Sequence, residues 1–157
     1  MNEKGYTLLE ILVALTIVGI IFSIGYVGFR SFSQRQEMQS VARNIRGDLR
    51  LAQGQALAGK KPPGVNCDSP ATLDGFNFSV DSATTYSINA VCSGGLIETK
   101  SVSMPSGITI TPGAVNPIVF KIIGNGTNIT GQVVINITQT GTTNTASITV
   151  TEGGEIQ

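Results

Sequence analysis

"KGYTLLEILVALTIVGII", residues 4 to 21, opens an apolar run that continues to Phe29 and carries one charge, Glu10. Nothing else between Gly5 and Arg30 is charged. The 22 residues from Leu8 to Phe29 would make a helix of about 33 Å at 1.5 Å per residue. A bilayer core is about 30 Å thick. The stretch therefore predicts a membrane-length helix over 6–29, and Glu10 is the feature that a plain anchor does not require.

The helical pattern outlasts the apolar run. No proline occurs before Pro62, and the glycines at 19, 25, 28, 47 and 54 stand singly. An isolated glycine weakens a helix by about 1 kcal/mol relative to alanine without ending it. After Phe29 the apolar residues thin to Met38, Val41, Ile45, Leu49, Ala52 and Ala56. Spacings of three and four line one helix face, and Arg43, Arg46, Asp48 and Arg50 are expected to point mostly away from it. One helix from Tyr6 to about Leu57 follows, and "GKKPPG" at 59–64 ends it.

Beyond Pro62 the chain is rich in Thr, Ser, Val, Ile, Asn and Gly, in short alternating runs. Strands are expected at 76–80, 85–91, 97–104, 107–111, 118–123, 132–138 and 146–151. Turn signals such as "GNGTN" (124–128) and "TGTTN" (140–144) separate them. This spacing predicts an antiparallel meander rather than parallel βαβ units. The fold class is α+β: a long N-terminal helix, first half transmembrane and second half amphipathic, packed on a C-terminal antiparallel β-sheet domain. The divisions expected are 1–5 leader, 6–29 transmembrane helix, 30–61 amphipathic helix, and 62–157 β-rich head.

The formal charge is zero, but it is unevenly spread. Residues 30–61 carry seven basic side chains against Glu37 and Asp48, a net of +5, whereas 62–157 carry a net of −4. No histidine is present, and Cys67 and Cys92 are the only cysteines. A zinc site would lack its usual ligands, so no metal and no cofactor is expected. A Cys67–Cys92 disulfide would stabilise the head by roughly 3 kcal/mol in the chain-entropy model and would imply an oxidising compartment. Two buried free thiols are the alternative. No G-x-S-x-G or phosphate loop occurs, and Asp68, Asp74 and Asp81 sit in turn-like contexts. No catalytic residue is identified and no enzymatic activity is expected.

A secretory signal peptide would want a more basic leader and a shorter apolar core than residues 1–29 provide, although "SIG" at 23–25 imitates a cleavage site. A plain anchor explains the length and leaves Glu10 as a tolerated acid near the membrane edge. The pattern of a short leader ending in Gly5, then Tyr6, Thr7, two leucines, Glu10 and a long apolar run resembles a third class. It is the N-terminal segment of type IV prepilins and type II secretion pseudopilins, with Tyr6 where that superfamily more often has Phe. Further along, "DLRLAQGQAL" (48–57) and the ending "SITVTEGGEI" (147–156) resemble the H-type minor pseudopilins and related minor pilins.

The resemblance implies a filament subunit, a minor one if the H-type likeness holds. Prepilin peptidase would cut between Gly5 and Tyr6 and methylate the Tyr6 amine. Glu10 would then neutralise the terminal ammonium of an adjacent subunit. The partners implied are other pilin or pseudopilin subunits, the peptidase and an inner-membrane assembly platform. The chain would lie in the bacterial inner membrane as a single pass with the head outside the cytoplasm, and then in a periplasmic or extracellular filament. Arg30 and Arg35 on the exported side run against the positive-inside tendency. The alternatives are a non-assembling anchored β-domain acting as a binding module, and a DNA-uptake minor pilin. For the last, the tail "EGGEIQ" has two acids and no Lys or Arg. Phosphate neutralisation supplies most non-specific DNA affinity, so nucleic acid is not an expected partner.

Overall fold

The computed structural model describes residues 7–157, except for the side chains of 23–28. The expected leader and cut, which involve Gly5 and Tyr6, lie outside the described residues. One 50-residue helix, α1 (Leu8–Leu57), is followed by seven strands. These are β1 (Leu73–Ser82), β2 (Thr85–Cys92), β3 (Gly95–Ser103), β4 (Ile108–Thr111), β5 (Ile118–Lys121), β6 (Gln132–Gln139) and β7 (Thr145–Thr151). The chain forms two compact units, Met1–Glu37 and Met38–Gln157. In the second, the head, the fold is α+β, with the expected strands present to within a few residues at their ends.

The single meander is corrected to two antiparallel sheets, in the orders β3-β2-β1-β5 and β4-β6-β7. The chain changes sheet three times, and the two connections that flank β4 cannot continue a ladder. Pro105 precedes β4, and Pro112 and Pro117 bracket the passage from β4 to β5. Proline lacks the N–H that a ladder needs. At Gly113 a side chain would collide with Val133 and the Val134 carbonyl, so only glycine allows this crossing to lie so close to β6. The strand expected over 118–123 stops at Lys121, and Ile122–Gly124 form a 3-10 turn.

Alternation sorts the strands' side chains. Phe76, Phe78, Val80, Tyr86, Ile88 and Ala90 from the first sheet share one core with Ile110, Val133, Ile135, Ile137, Ile148 and Val150 from the second. All six apolar helix positions expected to face the core are buried: Met38, Val41, Ile45, Leu49, Ala52 and Ala56. Asp48 is a correction. Expected to point away, it is 8% exposed, because three residues after Ile45 and four before Ala52 is itself a core-facing position. Cys67 and Cys92 form a disulfide with Cα atoms 5.4 Å apart, fastening the chain after the helix to the end of β2.

Candidate functional site

The first unit is dominated by uncovered apolar surface. Leu8, Leu9, Leu15, Ile20, Ile21 and Phe22 are all more than 60% exposed. A helix apolar on all sides is stable only among lipid or other helices. Among the described residues no helix is long and apolar enough to cross a membrane. The span expected over 6–29 includes Tyr6 and the side chains of 23–28, which are outside the description.

Glu10 lies in the first turn of α1. Its backbone N–H donates to Thr7 Oγ1 at 3.3 Å and to the Thr7 carbonyl at 3.1 Å, so Thr7 is the helix cap. Thr7-Leu8-Leu9-Glu10 is the T-x-x-E spacing of a capping box. An acid in this turn is also favoured by the helix dipole. This local role was readable from the threonine three residues before the acid. The Glu10 carboxylate has no ion-pair partner among the described residues. Of the sequence-derived site residues, Gly5 and Tyr6 are not described, Glu10 stands at the helix start, and Cys67 and Cys92 are joined.

The head holds a polar cluster that the sequence reading missed. The buried Asp48 carboxylate accepts a hydrogen bond from the Tyr86 hydroxyl at 2.7 Å (Oδ2) and one from Lys100 Nζ at 2.6 Å (Oδ1). It ties α1 to β2 and to β3. Lys100 remains 41% exposed, so its charge is largely hydrated while that of Asp48 is not. Burial, and then the bond to and charge of Asp48, raise the Tyr86 pKa well above 10. The neutral hydroxyl is thus retained in the fold at pH values where the unfolded chain has lost its proton.

The sign of the pH effect follows. Tyr86 contributes full stability below pH 10, and that contribution is lost as pH rises above 10. The loss is about 1.4 kcal/mol per pH unit while the unfolded phenol is ionised and the folded one is not. Alkaline denaturation of the full chain in detergent should therefore be shallower in Tyr86→Phe than in the parent.

Among the described residues no group of His, Cys, Asp or Glu is arranged to hold a metal ion. The cluster has a visible structural task, joining α1 to β2 and β3.

Residues 1–26 match the family described as the prokaryotic N-terminal methylation motif. Among solved structures, the fold resembles the crystal structure of the type IV minor pilin FimU of Pseudomonas aeruginosa PAO1. The TM-score is 0.55 at 17% identity, over 76% of this chain and 90% of that one. No curated protein matches the sequence. The chain thus carries the methylation motif over its first 26 residues, followed by a fold like that of a type IV minor pilin.

Proposed function

We propose that the chain is a minor structural subunit of a type IV pilus-like or type II secretion filament, and not an enzyme. The observation that carries this reading is the methylation motif over residues 1–26, within which an uncovered apolar helix begins at a single acid. In this reading residues 1–5 are a leader removed by prepilin peptidase between Gly5 and Tyr6, and Tyr6 becomes the methylated N-terminus. Residues 6–29 hold the subunit in the inner membrane and later pack against the helices of other subunits. Residues 30–61 carry the helix into the head, and 62–157 are displayed outside the cytoplasm, where the Cys67–Cys92 disulfide suits an oxidising compartment.

Glu10 gives the assembly step its chemistry. The terminal ammonium of one subunit and the Glu10 carboxylate of its neighbour would each be costly to desolvate alone in a helix bundle. In register, they offset each other. An inner-membrane assembly platform would perform the transfer from bilayer to filament.

The competing reading is an anchored β-domain that never assembles, and the place of Glu10 in the first turn of α1, where the helix dipole favours an acid, is the observation that favours it. The two separate in the native cell. Filament assembly predicts the chain in sheared surface or periplasmic filaments, whereas an anchored module stays wholly in the membrane fraction.

A further inference from the structure

Two sheets present four edges, and three of them are closed by this chain. The outer edge of β5 is met by residues 126–128, where Lys121 N–H donates to the Gly126 carbonyl and the Asn128 side chain bonds Val119 N–H and the Pro117 carbonyl. The outer edge of β7 is covered by the C-terminal tail through paired bonds between Thr149 and Gln157 and a bridge from Val150 to Ile156. Arg46 reaches the Ser147 carbonyl farther along that edge. The four-residue β4 is met by Ala83, whose carbonyl accepts from Ile110 N–H.

The edge of β3 is different. Asn66 Nδ2 bonds the Leu96 carbonyl, and past that point, among the described residues, the strand has backbone partners only on the β2 side until Met104. Since the Leu96 carbonyl faces away from β2, alternation turns the N–H and C=O of Glu98 outward. Beyond the bulge opposite Ile88 and Asn89, it turns those of Ser101 and Ser103 outward as well. A lysine on an edge strand usually guards it against strand addition. Lys100 does not serve that purpose, being drawn across to Asp48.

Two cavities follow this strand on its helix side. One of about 420 Å³ is bounded by Gln55, Lys60, Lys61, Phe76, Ile97 and Thr99, and one of about 430 Å³ by Arg43, Gly47 and Val102 beside the Asp48 cluster. With Asp48 neutralised by Lys100, the flanking charges are Arg43, Lys60 and Lys61 against Glu98. The groove is basic.

We propose that the open edge of β3 from Ile97 to Ser103 is a docking site for an extended, acidic polypeptide segment of a partner protein. The segment adds as a strand through the outward groups of Glu98, Ser101 and Ser103. Its helix-side carboxylates face Arg43, Lys60 and Lys61. Main-chain bonds supply the affinity and the flanking cavities the choice of side chain. The inference concerns the head alone, so its failure leaves the filament reading untouched.

The test uses the full chain in detergent and synthetic peptides matched to the nine residues of β3. One alternates glutamate with valine, its counterpart alternates lysine with valine, and a third is the acidic peptide with alternate backbone amides N-methylated. Saturable binding of the acidic peptide is expected, weakened about tenfold or more by the loss of edge hydrogen bonds on N-methylation, and absent for the lysine peptide. Ser101→Pro removes one outward N–H at a position where an edge strand tolerates proline, and should weaken binding by about tenfold with the melting temperature retained. Equal binding of acidic and basic peptides, binding indifferent to N-methylation, or no saturable binding would each overturn the proposal. If Ser101→Pro lowers the melting temperature, the N-methylated peptide decides.

Discussion

Glu10→Gln removes the chain from filaments, with the expected loss at least about a hundredfold, while its helix, its membrane retention and its head stay as in the parent. Glutamine is the informative replacement because it separates a local role of this residue from the proposed one. The structure shows a local one, with Thr7 capping the helix and an acid in the first turn. Glutamine also serves at the third position of a capping box, and the dipole interaction it forfeits is worth about 0.3–1 kcal/mol at a helix start. A loss that small leaves the helix in place. In the proposed filament the role of Glu10 is electrostatic and depends on the full charge: without it, the neighbour's ammonium would be left unpaired among apolar helices. Removing one partner of a buried ion pair is worth about 3–5 kcal/mol, which sets the scale of the expected loss. Quantifying the chain in sheared filament and membrane fractions separates the roles. Normal incorporation of Glu10→Gln would leave capping as the reason for the acid.

Asp48→Ala destabilises the head by about 3 kcal/mol, more than either of its partners' removal. The substitution leaves the Tyr86 hydroxyl without its acceptor in a site where Tyr86 is 1% exposed. A buried polar group in that condition costs about 1–3 kcal/mol, and the missing carboxylate adds a small void beside Ile45 and Leu49. Lys100 is affected less, because an ammonium already 41% exposed turns to water; Lys100→Ala is expected to cost about 1 kcal/mol. The account requires coupling between Asp48 and Tyr86. In a Tyr86→Phe background there is no hydroxyl to strand, so the effect of Asp48→Ala should shrink by about 1–2 kcal/mol. Denaturation of the full-length variants in detergent measures all three. Additive effects of Asp48→Ala and Tyr86→Phe would remove the hydroxyl–carboxylate bond from the account.

The long helix was legible because its determinants are local. Absence of proline before Pro62 and apolar spacing of three and four suffice to give its core face from Met38 to Ala56. The strands were legible for the same reason, alternation being a local signal. Their division into two sheets was not, because it depends on which distant strands pair; β4 finds β6 across more than twenty intervening residues. Asp48 was misassigned for a different reason. Residue type suggested solvent, whereas helical register placed it beside Ile45 and Leu49, and only Tyr86 and Lys100, both from distant strands, make that placement tolerable. Thr7 is legible as the cap from its place three residues before Glu10, a local signal like those of the helix and strands. The open edge of β3 has no signature in the strand itself, since it is defined by what the rest of the chain covers.

The filament account rests on one processing event, and mass spectrometry of the N-terminal peptide, from protein recovered from its native cell, reads it directly. The predicted result is a chain that begins at Tyr6 and carries one methyl group on its terminal amine. A chain that still begins with Met1 to Gly5, in a cell whose prepilin peptidase is active, would contradict it.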